Sequence, residues 1–208
     1  MAYIGNFPIS VGTRAINFKQ NTATKKTETA SGRIIRATNS TTIWSATLSF
    51  PTMTLAEFKP IQAFIARCQG SLNEFDIVFP TISTSTSPNV ASQNCYVTSD
   101  ASAGATTLSV NSNVISGELF KAGDVIRFGN HTKVYMVSTD INTDAGGDAT
   151  LNITPALVND VVSQESAGGE QVIFSSVPFR MILTGDLQEF GYRNDGLVDY
   201  EIDIQETI

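Results

Sequence analysis

Thr42-Ile-Trp-Ser-Ala-Thr-Leu-Ser-Phe50 decides the fold class of this chain. Trp44, Ala46, Leu48 and Phe50 share one side of an extended segment; Ser45, Thr47 and Ser49 share the other. A period of two marks a half-buried strand, because successive side chains point to opposite faces. Immediately downstream the period changes. Thr54 with Glu57 three residues on has the form of a capping box. Leu55, Phe58, Ile61, Phe64, Ile65 and Cys68 then recur at spacings of three and four, the apolar stripe of a helix over about residues 54–69. Pro60 is expected to kink this helix or to confine its regular part to the residues beyond the proline, and Gly70 to stop it. The stripe is expected to pack on a sheet, with Phe75-Asp-Ile-Val-Phe79 as the next strand, ended by Pro80.

Working outward, Ile9 and Val11 alternate with polar neighbours before Gly12, and Arg14–Lys19 and Arg33–Thr38 are short strand candidates. The polar stretch Gln20–Gly32 between them has little to bury, so it reads as a long exposed hairpin or a mobile arm. Thr81–Asn89, almost all Ser and Thr, reads as a linker. Beyond it, Thr106–Val110, Val125–Phe128, Lys133–Val137 and Ala149–Ile153 are short strands separated by Gly-containing turns, the texture of a small barrel over residues 92–174. Val177–Leu183 is a further strand. Finally Tyr200, Ile202 and Ile204 alternate with Asp199, Glu201, Asp203 and Gln205, apolar inside and acidic outside. Such a strand needs a sheet to join. The expected fold is all-β with one short helix: a β-sandwich-like domain of residues 1–85 and 175–208, with a small β-barrel of residues 92–174 inserted.

Charged residues make up 16% of the 208, against about a quarter in ordinary globular proteins; Thr, Ser and Asn take their place, which favours strands and turns. The net charge of −7 argues against a protein that wraps nucleic acid, which needs clustered cations to displace counterions from phosphate. The charge is divided. Residues 1–50 carry Arg14, Lys19, Lys25, Lys26, Arg33 and Arg36 against Glu28; residues 140–208 carry thirteen acids against Arg180 and Arg193. Cys68 and Cys95 form no CxxC pair and read as reduced thiols. The segment from Met1 to Pro8 lacks the basic-then-apolar pattern of a signal peptide, and no apolar run reaches the ~18 residues of a membrane helix.

No catalytic constellation emerges. His131, in Gly129-Asn-His-Thr132, is the only histidine and no nucleophile turn accompanies it, so it reads as an exposed turn residue. Asp140, Asn142, Asp144 and Asp148 with Gly146 resemble the start of a calcium loop, but the twelfth position is Leu151 rather than a bidentate Glu. A hairpin tip explains the same residues. The acids Asp199, Glu201 and Asp203 alternate as a solvated strand face does, without neighbouring aromatics for a sugar. No glycine loop matches a phosphate-binding motif. Catalytic, cofactor and metal sites are expected to be absent.

Two stretches resemble a known class. Trp44 through Gly70, with Phe75, Ile77 and Pro80, is similar to the strand–helix segment of tailed-phage minor tail proteins. Lys121–Asn130, Lys133–Val137 and Thr150–Leu157 look like a small β module of phage structural proteins, and the acidic closing strand fits the same pattern. The resemblance implies a tail-tip or baseplate component of the distal tail kind: a β-sandwich with one helix, an additional β domain, and a ring, such as a hexamer, joining tail tube, hub and baseplate proteins. It places the protein in the virion tail, assembled in the host cytoplasm, without membrane insertion. The expected order departs from that family, since the extra domain lies inside the first. Ring closure requires two different patches to meet. The charge division nominates Arg14, Lys25, Lys26, Arg33 and Arg36 against Asp199, Glu201 and Asp203; the alternative is that both ends neutralise each other within one sheet. The rival function is a receptor- or carbohydrate-binding module on the barrel, using Tyr96, Phe120, Phe128 or Tyr135.

Overall fold

The structure is a computed structural model that describes residues 1–9, 12–87, 94–163 and 170–208, with backbone alone for 39–41. Val11, the end of the 81–89 stretch and residue 92, where the barrel was expected to begin, lie outside the described residues. In chain order come β1 (Tyr3–Asn6), β2 (Ala15–Glu28), β3 (Ile34–Ser49), β4 (Met53–Thr54), helix α1 (Leu55–Cys68) and β5 (Glu74–Ile77). Next are β6 (Cys95–Val97), β7 (Thr107–Ser112), β8 (Glu118–Phe120), β9 (Val125–Phe128), β10 (Val134–Val137), β11 (Ile141–Asn142), β12 (Asp148–Thr154) and β13 (Val172–Ile173). The last are β14 (Phe179–Leu183), β15 (Gly191–Tyr192), β16 (Leu197–Asp199) and β17 (Glu201–Glu206). Among the described residues the protein is mostly β with one helix. Two compact units are present: Met1–Thr22, Thr42–Ile77 and Arg180–Ile208 in one, Ala23–Thr41 and Val78–Phe179 in the other.

The sheet of the first unit has the order β1-β5-β14-β17-β3-β2. Its register follows the alternation of the sequence. Leu48 pairs with Ile202, Ala46 with Ile204, and Ile204 with Leu183; all five are buried. The intervening residues, Thr47 opposite Asp203 and Ser49 opposite Glu201, form the other face. Helix α1 lays Phe58, Ile61, Phe64, Ile65 and Cys68 into the core. Phe7 joins helix to sheet, with ring centroids 5.3 Å from Phe64 and 6.1 Å from Phe50. Trp44, also buried, stacks on Phe18 at 5.2 Å.

The helix begins as the sequence indicates: Thr54 Oγ1 accepts from the Glu57 N–H, and Glu57 Oε2 accepts from the Thr54 N–H at 2.8 Å. That second bond holds the Glu57 carboxyl below its ordinary value. The helix is not confined to the residues beyond Pro60, which sits inside one continuous helix, because in the second turn only one intrahelical N–H is forgone and capping secures the turn before it. Leu55 is exposed, not part of the buried stripe; as the first helical residue it lies at the rim. The stop comes at Gln69, which is left-handed, followed by Gly70 at φ +66°.

The polar stretch after Arg14 resolves as a hairpin. β2 and β3 are adjacent strands, joined by a turn in which the Thr29 N–H donates to the Arg33 carbonyl (2.9 Å) and the Gly32 N–H to the Thr29 carbonyl (2.9 Å). Backbone pairing thus orders a segment with almost no apolar side chains to bury.

In the second unit, a sheet of order β13-β9-β10-β12-β7-β6 curls into a nearly closed barrel. Its end strands approach each other, since Tyr96 bridges Gln171 and the Val97 N–H donates to the Glu170 carbonyl. The interior contains Val110, Leu119, Phe120, Phe128, Tyr135 and Leu151 among others. The Ser/Thr stretch after residue 80 is not a free linker. Ser83, Ser85 and Ser87 are buried; Ser83 Oγ accepts from the Phe79 N–H and Ser87 Oγ donates to the Glu118 carbonyl, while Ser85 is held by Asp124. Its carboxylate accepts from Ser85 Oγ (2.5 Å), the Thr86 N–H (2.9 Å), Thr86 Oγ1 (3.0 Å) and the Lys121 N–H (2.9 Å). A buried carboxylate needs such partners, and hydroxyl-rich chain supplies them.

Candidate functional site

The outer face around β17 is a ladder of carboxylates and hydroxyls. Thr52 Oγ1 donates to Asp199 (2.6 Å), Ser49 Oγ to Glu201 (2.6 Å) and Thr47 Oγ1 to Asp203 (2.5 Å). The register of β3 and β17 places Ser49 opposite Glu201 and Thr47 opposite Asp203. Lys19 Nζ reaches Thr47 Oγ1 at 3.4 Å, and Arg193 lies 3.6 Å from Asp199. Arg14 lines an open groove of ≈ 680 Å³ with Ser49, Thr52, Arg193, Asp199 and Glu201. Of the charged residues nominated by sequence, Arg14 is therefore brought beside two of the three acids. Lys25, Lys26, Arg33 and Arg36 are exposed on the hairpin, and their side chains make no ion pair with a described residue.

Sequence reasoning missed a second charged centre in the first unit. Arg180 Nε pairs with Asp76 Oδ1 at 2.6 Å and its Nη1 with Glu74 at 3.5 Å, and the guanidinium lies 4.3 Å from the Tyr3 ring centroid. Hydrogen bonding to Asp76 raises the Arg180 pKa. The cluster ties β1, β5 and β14 together. Its residues are far apart in sequence and no motif marks them.

His131 corrects an expectation: it is buried, not an exposed turn residue. Nδ1 is 3.1 Å from the Tyr135 hydroxyl, Nε2 is 3.3 Å from the Asp160 carbonyl, and the buried Glu170 carboxylate is 3.8 Å away. The turn itself is local, but segments some thirty to forty residues later in sequence cover it. The acids of the suspected calcium loop do other work. Asp144 Oδ1 accepts from the Gly146 and Asp148 N–H groups, Asp148 Oδ1 accepts from Asn111, and Asp140 Oδ1 accepts from the Ala122 N–H. The Asp144 bonds form the turn, while those of Asp148 and Asp140 tie this loop to residues distant in sequence. Among the described residues no group of three or more His, Cys, Asp or Glu could hold a metal ion. Burial pushes the Cys68 thiol up to about 11 and that of Cys95 to about 12, so both act as small apolar side chains. Of the barrel aromatics considered for sugar binding, Phe120, Phe128 and Tyr135 are fully buried in the core.

These features define an all-β protein carrying a small barrel module, with its charge set on an arm and an outer strand face. Residues 89–177, somewhat under half the chain, match the family model of the B domain of distal tail protein pb9. The resemblance to tail-tip and distal tail structural proteins holds, and the match supports a structural role in a phage tail. A search of curated proteins finds no match.

Proposed function

We propose that this protein is a ring-forming subunit of the tail tip, connecting the tail tube to baseplate or receptor-binding components, and that it has no enzymatic activity. The observation that carries the reading is the distal-tail B-domain match over residues 89–177. In this reading the barrel is an independent module of residues 92–174 inserted in a ring-forming domain of residues 1–85 and 175–208. Copies meet through the basic residues Arg14, Lys25, Lys26, Arg33 and Arg36 and the acids Asp199, Glu201 and Asp203. One hydroxyl donor leaves each of those carboxylates most of its acceptor capacity, so an intermolecular cation can still engage it. Other tail tube, hub and baseplate proteins are the further partners, and assembly takes place in the host cytoplasm.

Negative-stain electron microscopy of the purified protein tests the reading directly. Closed rings of one symmetry, hexameric in the simplest case, are expected. A protein that stays monomeric at tens of micromolar contradicts it. Replacing residues 92–174 by a short Gly-Ser linker is expected to leave the rest cooperatively folded, because its core belongs to other strands.

A further inference from the structure

The hairpin carries a feature that charge alone does not explain. At its end, Arg33-Ile-Ile-Arg36 presents two isoleucines 61% and 52% exposed, flanked by cations. Successive strand residues face opposite ways, so neither side of the ribbon is covered there. Residues 23–41 hold four of the chain's thirteen cations and one of its twenty carboxylates. The remainder is therefore strongly acidic, with nine cations against nineteen carboxylates. A basic arm with an apolar end is complementary to an acidic body with an apolar patch.

The first unit offers such a patch. Leu187, 81% exposed, is the most exposed large aliphatic residue after Met1 among the described residues, and Leu72 is half exposed. The two loops that bear them are joined: Asp186 Oδ1 accepts from the Ser71 N–H (3.0 Å) and Ser71 Oγ (2.9 Å). These bonds hold the Asp186 carboxyl below its usual range, and thus charged. Glu189 comes two residues after Leu187, exposed and with no ion pair to a described residue. Two exposed leucines on joined loops, with Asp186 and Glu189 close to Leu187 in the chain, match two exposed isoleucines flanked by Arg33 and Arg36.

We propose that the end of the arm, Ile34 and Ile35, seats on the Leu72–Leu187 patch of a second copy of this chain, with Arg33 and Arg36 against Asp186 and Glu189. This deepens the self-assembly reading and rests on it; it moves Arg33 and Arg36 to the Asp186–Glu189 side of the contact and leaves Arg14, Lys25 and Lys26 for Asp199, Glu201 and Asp203. The two surfaces differ, so the contact is heterologous and propagates from copy to copy until a ring closes. The isoleucines make part of the association resistant to salt, which screening of exposed charges would otherwise abolish.

Sedimentation velocity on the full chain, at low and high salt, is the test. Ile34→Ser with Ile35→Ser, and separately Leu72→Ser with Leu187→Ser, are expected to weaken association at least about tenfold each at both salts. Combining the two pairs should add little further loss, since both remove one contact. Arg33→Glu with Arg36→Glu should weaken association, and Glu189→Lys in the same chain should partly restore it. All these positions are exposed, and unchanged circular dichroism checks the fold. If the wild type associates but the serine variants match it, the seat is wrong while self-assembly stands. If the wild type is monomeric throughout, both readings fall. A monomer whose arm instead drives flotation with phosphatidylglycerol vesicles also overturns the proposal, in favour of a lipid surface.

Discussion

Asp124→Ala is expected to unfold the barrel preferentially. The Asp124 carboxylate is 5% exposed and accepts four hydrogen bonds, two from the hydroxyls of Ser85 and Thr86 and two from backbone N–H groups. Each bond to a charged acceptor contributes about 1.5–3 kcal/mol in isolation. The sum is not recovered in full, because exposed Thr86 can turn to water once the carboxylate is gone. Ser85 is buried and cannot, leaving an unsatisfied donor that costs about 1–3 kcal/mol. A net loss of about 3 kcal/mol results, equivalent to about 2 M in the urea midpoint for a unit of this size. Asp124→Asn keeps one acceptor oxygen and should lose about half as much. The chain has a single tryptophan, Trp44, and it lies in the first unit. Tryptophan fluorescence therefore tracks one unit while far-UV circular dichroism tracks both. The early phase of the dichroism transition should move and the fluorescence midpoint should stay. If both probes shift together the barrel does not unfold independently; if neither shifts, the Asp124 anchor carries no stability.

Truncating Trp44 or Phe64 to Ala should cost about 3–5 kcal/mol in the first unit, read from urea denaturation; near-neutral effects at both would mean that these buried faces are not its core. Gly147 has φ +83°, and a Cβ there would stand 2.2 Å from the Ser112 carbonyl oxygen. Gly147→Ala should therefore destabilise the barrel by about 2–4 kcal/mol, and a wild-type melting temperature would contradict that close approach. Thr54→Ala should cost about 1 kcal/mol. Glu57→Gln should destabilise at neutral pH only: a carboxyl depressed in the folded state stabilises above its unfolded value of 4.5, and that contribution disappears as pH falls through the folded value. A Glu57→Gln penalty that persists unchanged at pH 3 would exclude this account. Lys25, Lys26, Arg33 and Arg36 all changed to Glu should disperse the assembly, and Asp199, Glu201 and Asp203 changed to Lys in the same chain should partly restore it; single reversals should do little, as surface pairs contribute about 0–1 kcal/mol.

The elements with a strong period were legible in the sequence. Trp44 to Phe50, the Phe58–Cys68 stripe and Tyr200 to Ile204 each announce a buried face through residues two to four apart, and the structure pairs them as that pattern requires. The capping box needs only Thr54 and Glu57. The charge division was equally plain, as was the lack of a nucleophile motif. What the sequence left open was every feature set by partners distant along the chain. The polar hairpin was undecided because cross-strand backbone bonds, not side chains, order it. Tertiary structure placed β17 between β14 and β3 and brought the barrel's end strands together at Tyr96 and Gln171. It buried Ser85 through an aspartate some forty residues on, and His131 against the Asp160 carbonyl and the Glu170 carboxylate. Burial of a polar group depends on where its hydrogen-bond partners come to lie, and local periodicity holds no record of that. Apolar faces can be read from near neighbours in the chain; satisfied polar interiors are decided only when remote segments meet.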